Sequence, residues 1–323
     1  MAIASFAVGL ALLTLVVSRS GLGLPEIFSR LAALDRIACL RLTGLLAVNT
    51  FLSSLKWRLT DSAMRRPSDG SPSHFESFTL SSIGTALGQV LPVQLSMPAA
   101  RTLGAQIYGR AFERGTLGTF FEQSFDPLFS CFLMLGSAAA YLLNGGWRMW
   151  LTMAVFAAAL AIVSAGTMLN LVRRLAAAVS YKGTSKAAWR RFALKLSHSA
   201  LLEAGLGRRL MFLSALRFTV LVLMARETAV AIHADIPLWH LAAAMPFAVF
   251  ATASGITPGG LGLTEFTYAT ILSGLGTPIT LTTEWALANR LLISGASISV
   301  AVLLLPFFLA FRTAAKASES PAQ

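Results

Sequence analysis

Charge is scarce in this chain. Only 12% of its 323 residues are charged, half the roughly 25% of soluble domains, while 55% are hydrophobic and mean hydropathy is +0.69. That balance excludes an ordinary soluble domain. Acidic residues are scarcer still, 14 against 26 Lys and Arg, for a net charge of +12. The surplus does not argue for nucleic acid, because the basic residues sit in loops between apolar runs, the pattern of a cytoplasmic membrane face. The two cysteines, Cys39 and Cys131, lie in apolar runs and form no metal or redox motif. There is no GxxxxGK[ST] loop to hold a nucleotide and no HExxH pair to hold a metal. The histidines His74, His198, His233 and His240 are scattered at the ends of apolar runs. No cofactor, metal or catalytic group is expected, and the chain does not read as an enzyme.

What is present is a succession of apolar runs. Residues 1–17, 37–55, 120–143, 147–172, 210–232, 239–253 and 285–309 read as spans. With no Lys or Arg before it, the first reads as a retained span, not a cleaved signal. Lys56-Trp57-Arg58 closes the second run, an aromatic and two cations suited to the headgroup region. The fold class is therefore an all-α, polytopic transmembrane bundle of about eight crossings, one domain over residues 1–313, with a disordered polar tail over 314–323. Residues 173–209 are strongly basic, and within them Trp189, Phe192 and Leu196 recur at helical spacing, as in a helix lying on an anionic bilayer surface. Lys and Arg counting places that loop and the Arg312, Lys316 tail in the cytoplasm, and both termini with them.

Two segments break this regularity. Residues 255–265 carry Gly255, Pro258, Gly259, Gly260 and Gly262 and then Glu265. Proline and glycine make a continuous helix costly here, and broken backbone at membrane depth is tolerated only where protein or a water-filled cavity covers it. Residues 75–98 carry Gly84 and Gly88 at GxxxG spacing, then Pro92 and Pro98, and read as a re-entrant hairpin. That reading also restores the Lys56 cluster to the cytoplasmic side. Each segment pairs GxxxG glycines with a nearby proline and a downstream charge. The two are expected to enter from opposite faces and meet at one midplane site, drawn together by Arg101 and Glu265.

Ionisable residues inside apolar runs are candidate functional groups by default. Here they are Arg101, Glu122, Asp126, Arg217, Glu265 and Arg290. Glu122 and Asp126 are four apart, so a helix sets both carboxylates on one face. Such a pair in low dielectric needs a cation, from Arg101 or Arg290.

In their order along the chain, these features resemble the lysylphosphatidylglycerol synthase transmembrane, or flippase-like, family of bacterial membrane proteins. Leu55-Lys56-Trp57-Arg58 is similar to its motif closing an early span, and Gly88-Gln89-Val90-Leu91-Pro92 with Arg101 to its proline segment ending in Arg. Glu122 and Asp126 look like its acidic pair. Residues 257–265 resemble its Pro…Gly-x-Gly-x-x-Glu element, and Arg290 in Ala288-Asn289-Arg290-Leu291 the Arg of its last span. The chain departs at Gln123, where the family often has Arg, and at Gln94-Leu95-Ser96-Met97-Pro98, where it commonly has a Gly-Gly-Asp stretch. The best-known members add a soluble aminoacyl-transferase domain. This chain stops too soon after its last span for a domain of ~50 residues or more, so that activity is not expected in it.

The resemblance implies a multi-pass protein of the bacterial inner membrane. The leading expectation is a translocator of phospholipid or lipid-linked substrate between leaflets. Its site is Arg101 and Arg290 facing an anion, with Glu122, Asp126 and Glu265 orienting them or meeting a cationic headgroup. The alternatives are a membrane enzyme using Glu122 and Asp126 as acid and base, or an accessory subunit of a lipid-modifying enzyme. Expected partners are anionic or lipid-linked membrane lipids, with such an enzyme as a further candidate.

Overall fold

The computed structural model describes residues 2–21, 33–64, 72–107, 112–143, 145–181 and 203–319. Regular structure among them is entirely helical. Helix α1 (Ala2–Ser20) precedes α2 (Arg36–Met64), and α3 (His74–Leu87) pairs with α4 (Val93–Ile107). Helices α5 (Phe112–Gln123) and α6 (Phe125–Leu142) follow one another across a bend at Ser124, then come α7 (Trp147–Tyr181) and α8 (Ala204–Ala231). Helix α9 (Leu238–Ala253), the 3-10 turn Pro258–Gly260, α10 (Leu263–Gly274) and α11 (Ile279–Glu319) complete the order. Among the described residues four segments are long and apolar enough to cross a membrane, namely Arg36–Met64, Gly115–Leu142, Trp147–Leu175 and Ile279–Ala310. These four do not by themselves fix the count of about eight crossings. The expected surface helix around Trp189 and Phe192 lies outside the described residues. Residues 314–319, expected as disordered tail, continue α11 as helix, and 320–323 are outside the description.

The bundle wears its apolar side chains outward. Leu135, Val163 and Leu303 are each more than 60% exposed, while Thr60, Ser77, Thr79, Ser81 and Thr228 are fully buried. With hydrocarbon outside, burying leucine gains little, so small and polar residues make the helix contacts. Ala157, Ala161 and Ala165 of α7 face α6 in this way. At Gly136 a Cβ would stand 3.0 Å from the Met153 carbonyl oxygen.

Helix α8 is the centre post. It runs antiparallel to α2, since the amide of Asp35 donates to Ala231 O at 3.1 Å, Arg41 pairs with Glu227 at 2.9 Å, and Lys56 reaches Ser214 at 3.0 Å. The end of α2 therefore meets the start of α8. The basic residues around Arg58 and around Arg208 share one end of the bundle, as the charge count required.

From that end the first hairpin enters. Ser73 and Glu76 close a reciprocal cap on α3, at 3.2 Å and 2.7 Å, while Arg58 donates to Pro72 O at 2.9 Å. The arms, 14 and 15 residues, rise about 21 and 22 Å at 1.5 Å per residue, short of a hydrocarbon core about 30 Å thick. The break is at residues 88–92. Gly84, expected as part of that break, lies within α3 and is a packing residue. A Cβ there would come 2.6 Å from Met97 Sδ and 3.2 Å from Met97 Cα, so the missing side chain lets α3 and α4 pack closely. Pro98, expected to interrupt, sits inside a continuous α4.

The second hairpin, α9 and α10, starts where α8 ends, hence from the opposite face. His240 Nδ1 and Thr277 Oγ1, 2.9 Å apart, tie its two feet together. Its tip needs glycine for backbone reasons: Gly255, Gly259, Gly260 and Gly262 all have positive φ, between 55° and 75°. Helix α1 clamps this tip, because a Cβ on Gly262 would lie 1.9 Å from Gly9 O. Gly262→Ala is therefore expected to lower the unfolding midpoint in detergent clearly, the left-handed backbone alone costing about 1–2 kcal/mol. Gly44→Ala is the control. Its Cβ would meet nothing within 4 Å and alanine favours helix by about 1 kcal/mol, so thermal melts should show no loss there.

Candidate functional site

One face of α2 carries Asn49, Ser53, Lys56 and Thr60, all buried. Spacings of four, three and four residues keep them in one stripe. Lys56 was expected at the headgroup boundary, but it is fully buried, and α2 continues past it to Met64. Its Nζ donates to Asp126 Oδ1 at 2.6 Å and to Ser214 Oγ at 3.0 Å, and stands 3.7 Å from Glu122 Oε2. Trp57 beside it is also buried, and its ring lies 5.3 Å from the Arg101 guanidinium carbon. Buried charges need ionic and hydrogen-bond partners, at a cost of several kcal/mol per ion otherwise. Lys56 finds them in Asp126, Glu122 and Ser214, and the Trp57 ring lies against the Arg101 guanidinium.

Arg101 is held on every side. It pairs with Glu122 and donates to Ser53 Oγ at 2.8 Å, Ser53 O at 3.1 Å and Ser81 Oγ at 3.1 Å. Arg217 of α8 pairs with Asp126 and donates from Nε to Asn49 Oδ1 at 3.1 Å. The set holds three cations, Lys56, Arg101 and Arg217, against two carboxylates, Glu122 and Asp126.

In front of this network lies a cavity of about 470 Å³. The two hairpins, α2, the α5–α6 junction, α8 and α11 line it. Asp126, Arg217, Gln89, Glu265 and Arg290 line it, with Phe129, Phe218 and Met245 among its apolar walls. The tips touch: a Cβ on Gly259 would come 2.7 Å from Gly88 O. Arg290 Nη1 donates to Gly259 O at 2.5 Å, and Gln89 Oε1 accepts from Ser294 Oγ at 3.0 Å, so α11 braces both tips. Glu265 is almost wholly buried in the first turn of α10, 3.7 Å from Arg290 Nε. Its Oε2 has no hydrogen-bond partner.

The expected site is thus partly assembled and partly rearranged. Asp126, Glu265 and Arg290 line one cavity, and the two broken segments meet there. Arg101 and Glu122 do not line it. They are sealed behind it, and Arg101 pairs with Glu122, not Glu265. Arg290, offered as a counter-ion for the acidic pair, serves Glu265. Arg101 does serve the acidic pair, at Glu122, while Lys56 and Arg217 take Asp126 in place of Arg290. The stripe at Asn49, Ser53, Lys56 and Thr60 was the available signal for Lys56. For Arg217 the signal was only its position within an apolar run.

Removing one partner of the sealed pair should be expensive. Arg101→Ala leaves Glu122 buried without its main counter-ion and is expected to cost about 3–5 kcal/mol, seen as a lower melting temperature or failure to purify folded. Arg101→Leu combined with Glu122→Leu should recover much of that loss, since an apolar pair leaves no unpaired buried charge. A double variant no more stable than the single would contradict this account.

Residues 2–304 match the family described as the lysylphosphatidylglycerol synthase TM region. No curated protein and no solved structure matches the chain. The match covers both hairpins, the sealed ion network and the cavity, and agrees with the motifs quoted from the sequence. The chain belongs to the lysylphosphatidylglycerol synthase transmembrane family.

Proposed function

We propose that this protein moves a lipid between the leaflets of the membrane, its polar headgroup passing through the cavity between the hairpin tips while its chains stay in the bilayer. The observation that carries this reading is the charge inventory behind and around the cavity. Three cations, two buried and Arg217 at the cavity wall, meet two carboxylates in the Lys56, Arg101, Arg217, Glu122 and Asp126 set, and Glu265 and Arg290 balance each other. One positive charge is left over, which suits a phosphate. Arg217 and Arg290 are the cations at the wall, and the unpartnered Oε2 of Glu265 can accept from a headgroup ammonium or hydroxyl. A headgroup crossing bare hydrocarbon loses its hydration at several kcal/mol per unpaired polar group. Fixed polar walls offset that loss.

The opposed hairpins supply a route to alternating access. Each tip ends near the middle of the bundle, and the Gly88–Gly259 contact is the narrow point between them. Tilting either hairpin opens the cavity toward the end from which that hairpin enters. The membrane on which this acts is the bacterial inner membrane, with both termini cytoplasmic.

A second reading is favoured by the family's description, which names the membrane region of a synthase. On it, the cavity presents a lipid to a lipid-modifying enzyme, and translocation is absent. Purified protein in vesicles containing headgroup-labelled phospholipid separates the two. Translocation makes inner-leaflet label accessible to a membrane-impermeant quencher without chemical change to the lipid, and a presenting subunit does not. Arg290→Gln, read beside Arg290→Lys, which keeps the charge facing Glu265, is expected to slow that exposure by about 10- to 100-fold, the worth of a charged hydrogen bond of roughly 1.5–3 kcal/mol, in protein whose melting temperature shows it folded. Unchanged quenching kinetics in this variant would remove Arg290 from the path.

A further inference from the structure

A second opening lies away from the central cavity and shares none of its lining residues. It is a groove of about 710 Å³ at the basic end of the bundle, between α2, α7 and α8. Leu55 and Leu59 of α2, Ile162 of α7, and Phe212 and Leu213 of α8 form its walls. Phe212 keeps 52% of its surface exposed. Arg58, Arg208 and Arg209 stand in the same groove, with His74 beside them. Arg58 is anchored through Pro72 O. Arg208 and Arg209 are exposed, and no acidic partner for them occurs among the described residues.

The geometry points to a binding site for one anionic phospholipid, its phosphate on Arg58, Arg208 and Arg209 and an acyl chain against Phe212, Leu213 and Leu59. The size falls within the roughly 300–1,000 Å³ typical of ligand sites. An apolar slot that ends in guanidinium groups matches a molecule with one apolar and one anionic end. Arginine is the cation best shaped to hold phosphate oxygens in pairs. Charge argues against other occupants. Residues 182–202 contain Lys182, Lys186, Arg190, Arg191 and Lys195 and no acidic residue, so they are not an occupant complementary in charge to a cationic rim. A second copy meeting this face symmetrically would set the same arginines against each other. A free phosphate would leave the apolar wall bare. The lipid bound here bridges the end of α2, the middle of α7 and the start of α8, and is held, not carried.

The test uses the purified full chain in detergent. Its melting temperature is followed on adding phosphatidylglycerol, phosphatidylcholine or inorganic phosphate, for the wild type and for Arg208→Gln with Arg209→Gln. A photoactivatable residue at Phe212 in native membranes is read in parallel by mass spectrometry. The expected result is a larger rise with phosphatidylglycerol than with phosphatidylcholine, loss of that difference in the double variant, and a phospholipid adduct at position 212. Equal rises with the two lipids, the same rise with phosphate alone, or a difference that survives in the variant would overturn the site. So would a cross-link from position 212 to residues 182–202 or to a second copy.

Discussion

The arrangement depends on a single ammonium group placed where water cannot reach it. Lys56 Nζ lies 2.6 Å from Asp126 and 3.7 Å from Glu122, and through those carboxylates it binds α2 to α5 and α6. Arg101 adds α4 to the cluster by its pair with Glu122, and Arg217 adds α8 by its pair with Asp126. Burying Lys56, Arg101 and Glu122, with Asp126 and Arg217 half-buried beside them, is costly unless each has a partner and its remaining hydrogen bonds are met. Ser53, Ser81, Ser214 and Asn49 meet them. In a membrane this network does what a leucine core does in water, because apolar packing alone gives little preference between neighbouring helices and lipid.

Around that network the two hairpins are held against each other. The first is fixed at its foot by the Ser73–Glu76 cap and by Arg58, and along its arms by the missing side chain at Gly84. The second is fixed at its tip, where Gly262 fits against Gly9 of α1, and at its foot by His240 with Thr277. Helix α11 touches both tips, through Arg290 at Gly259 and Ser294 at Gln89. The broken backbone therefore sits beside a cavity covered by protein, with polar groups among its apolar walls. The same condition makes the cavity hospitable to a polar headgroup. Structure and proposed function share one physical requirement, polar groups kept away from hydrocarbon.

Much of this was legible in the chain before any coordinates. Low charge and long apolar runs require a membrane bundle. Gly and Pro clusters with downstream charges mark the two breaks, and the Lys and Arg distribution demands that the first be a hairpin for the basic clusters to share a face. Glu122 and Asp126 were recognisable because two carboxylates one turn apart in an apolar run share a helix face and need a cation. The family followed from the order of short motifs, and its match over residues 2–304 agrees.

What the sequence determined by itself is, in physical terms, whatever depends on local composition: which segments prefer hydrocarbon, where a helix must break, and which residues are too polar to face lipid. What only the tertiary structure decided is pairing. Every buried cation attracts every buried carboxylate, and linear order does not say which of them come within 4 Å. Lys56 looked like an end-of-helix residue because nothing near it in the chain shows that Asp126 lies opposite. Arg101 and Glu265 carry opposite charges and sit in similar segments, yet the fold gives Arg101 to Glu122 and Glu265 to Arg290. A charge pair is a property of two helices and the register between them, and the α2–α8 register is set by contacts spread from Asp35 to Lys56.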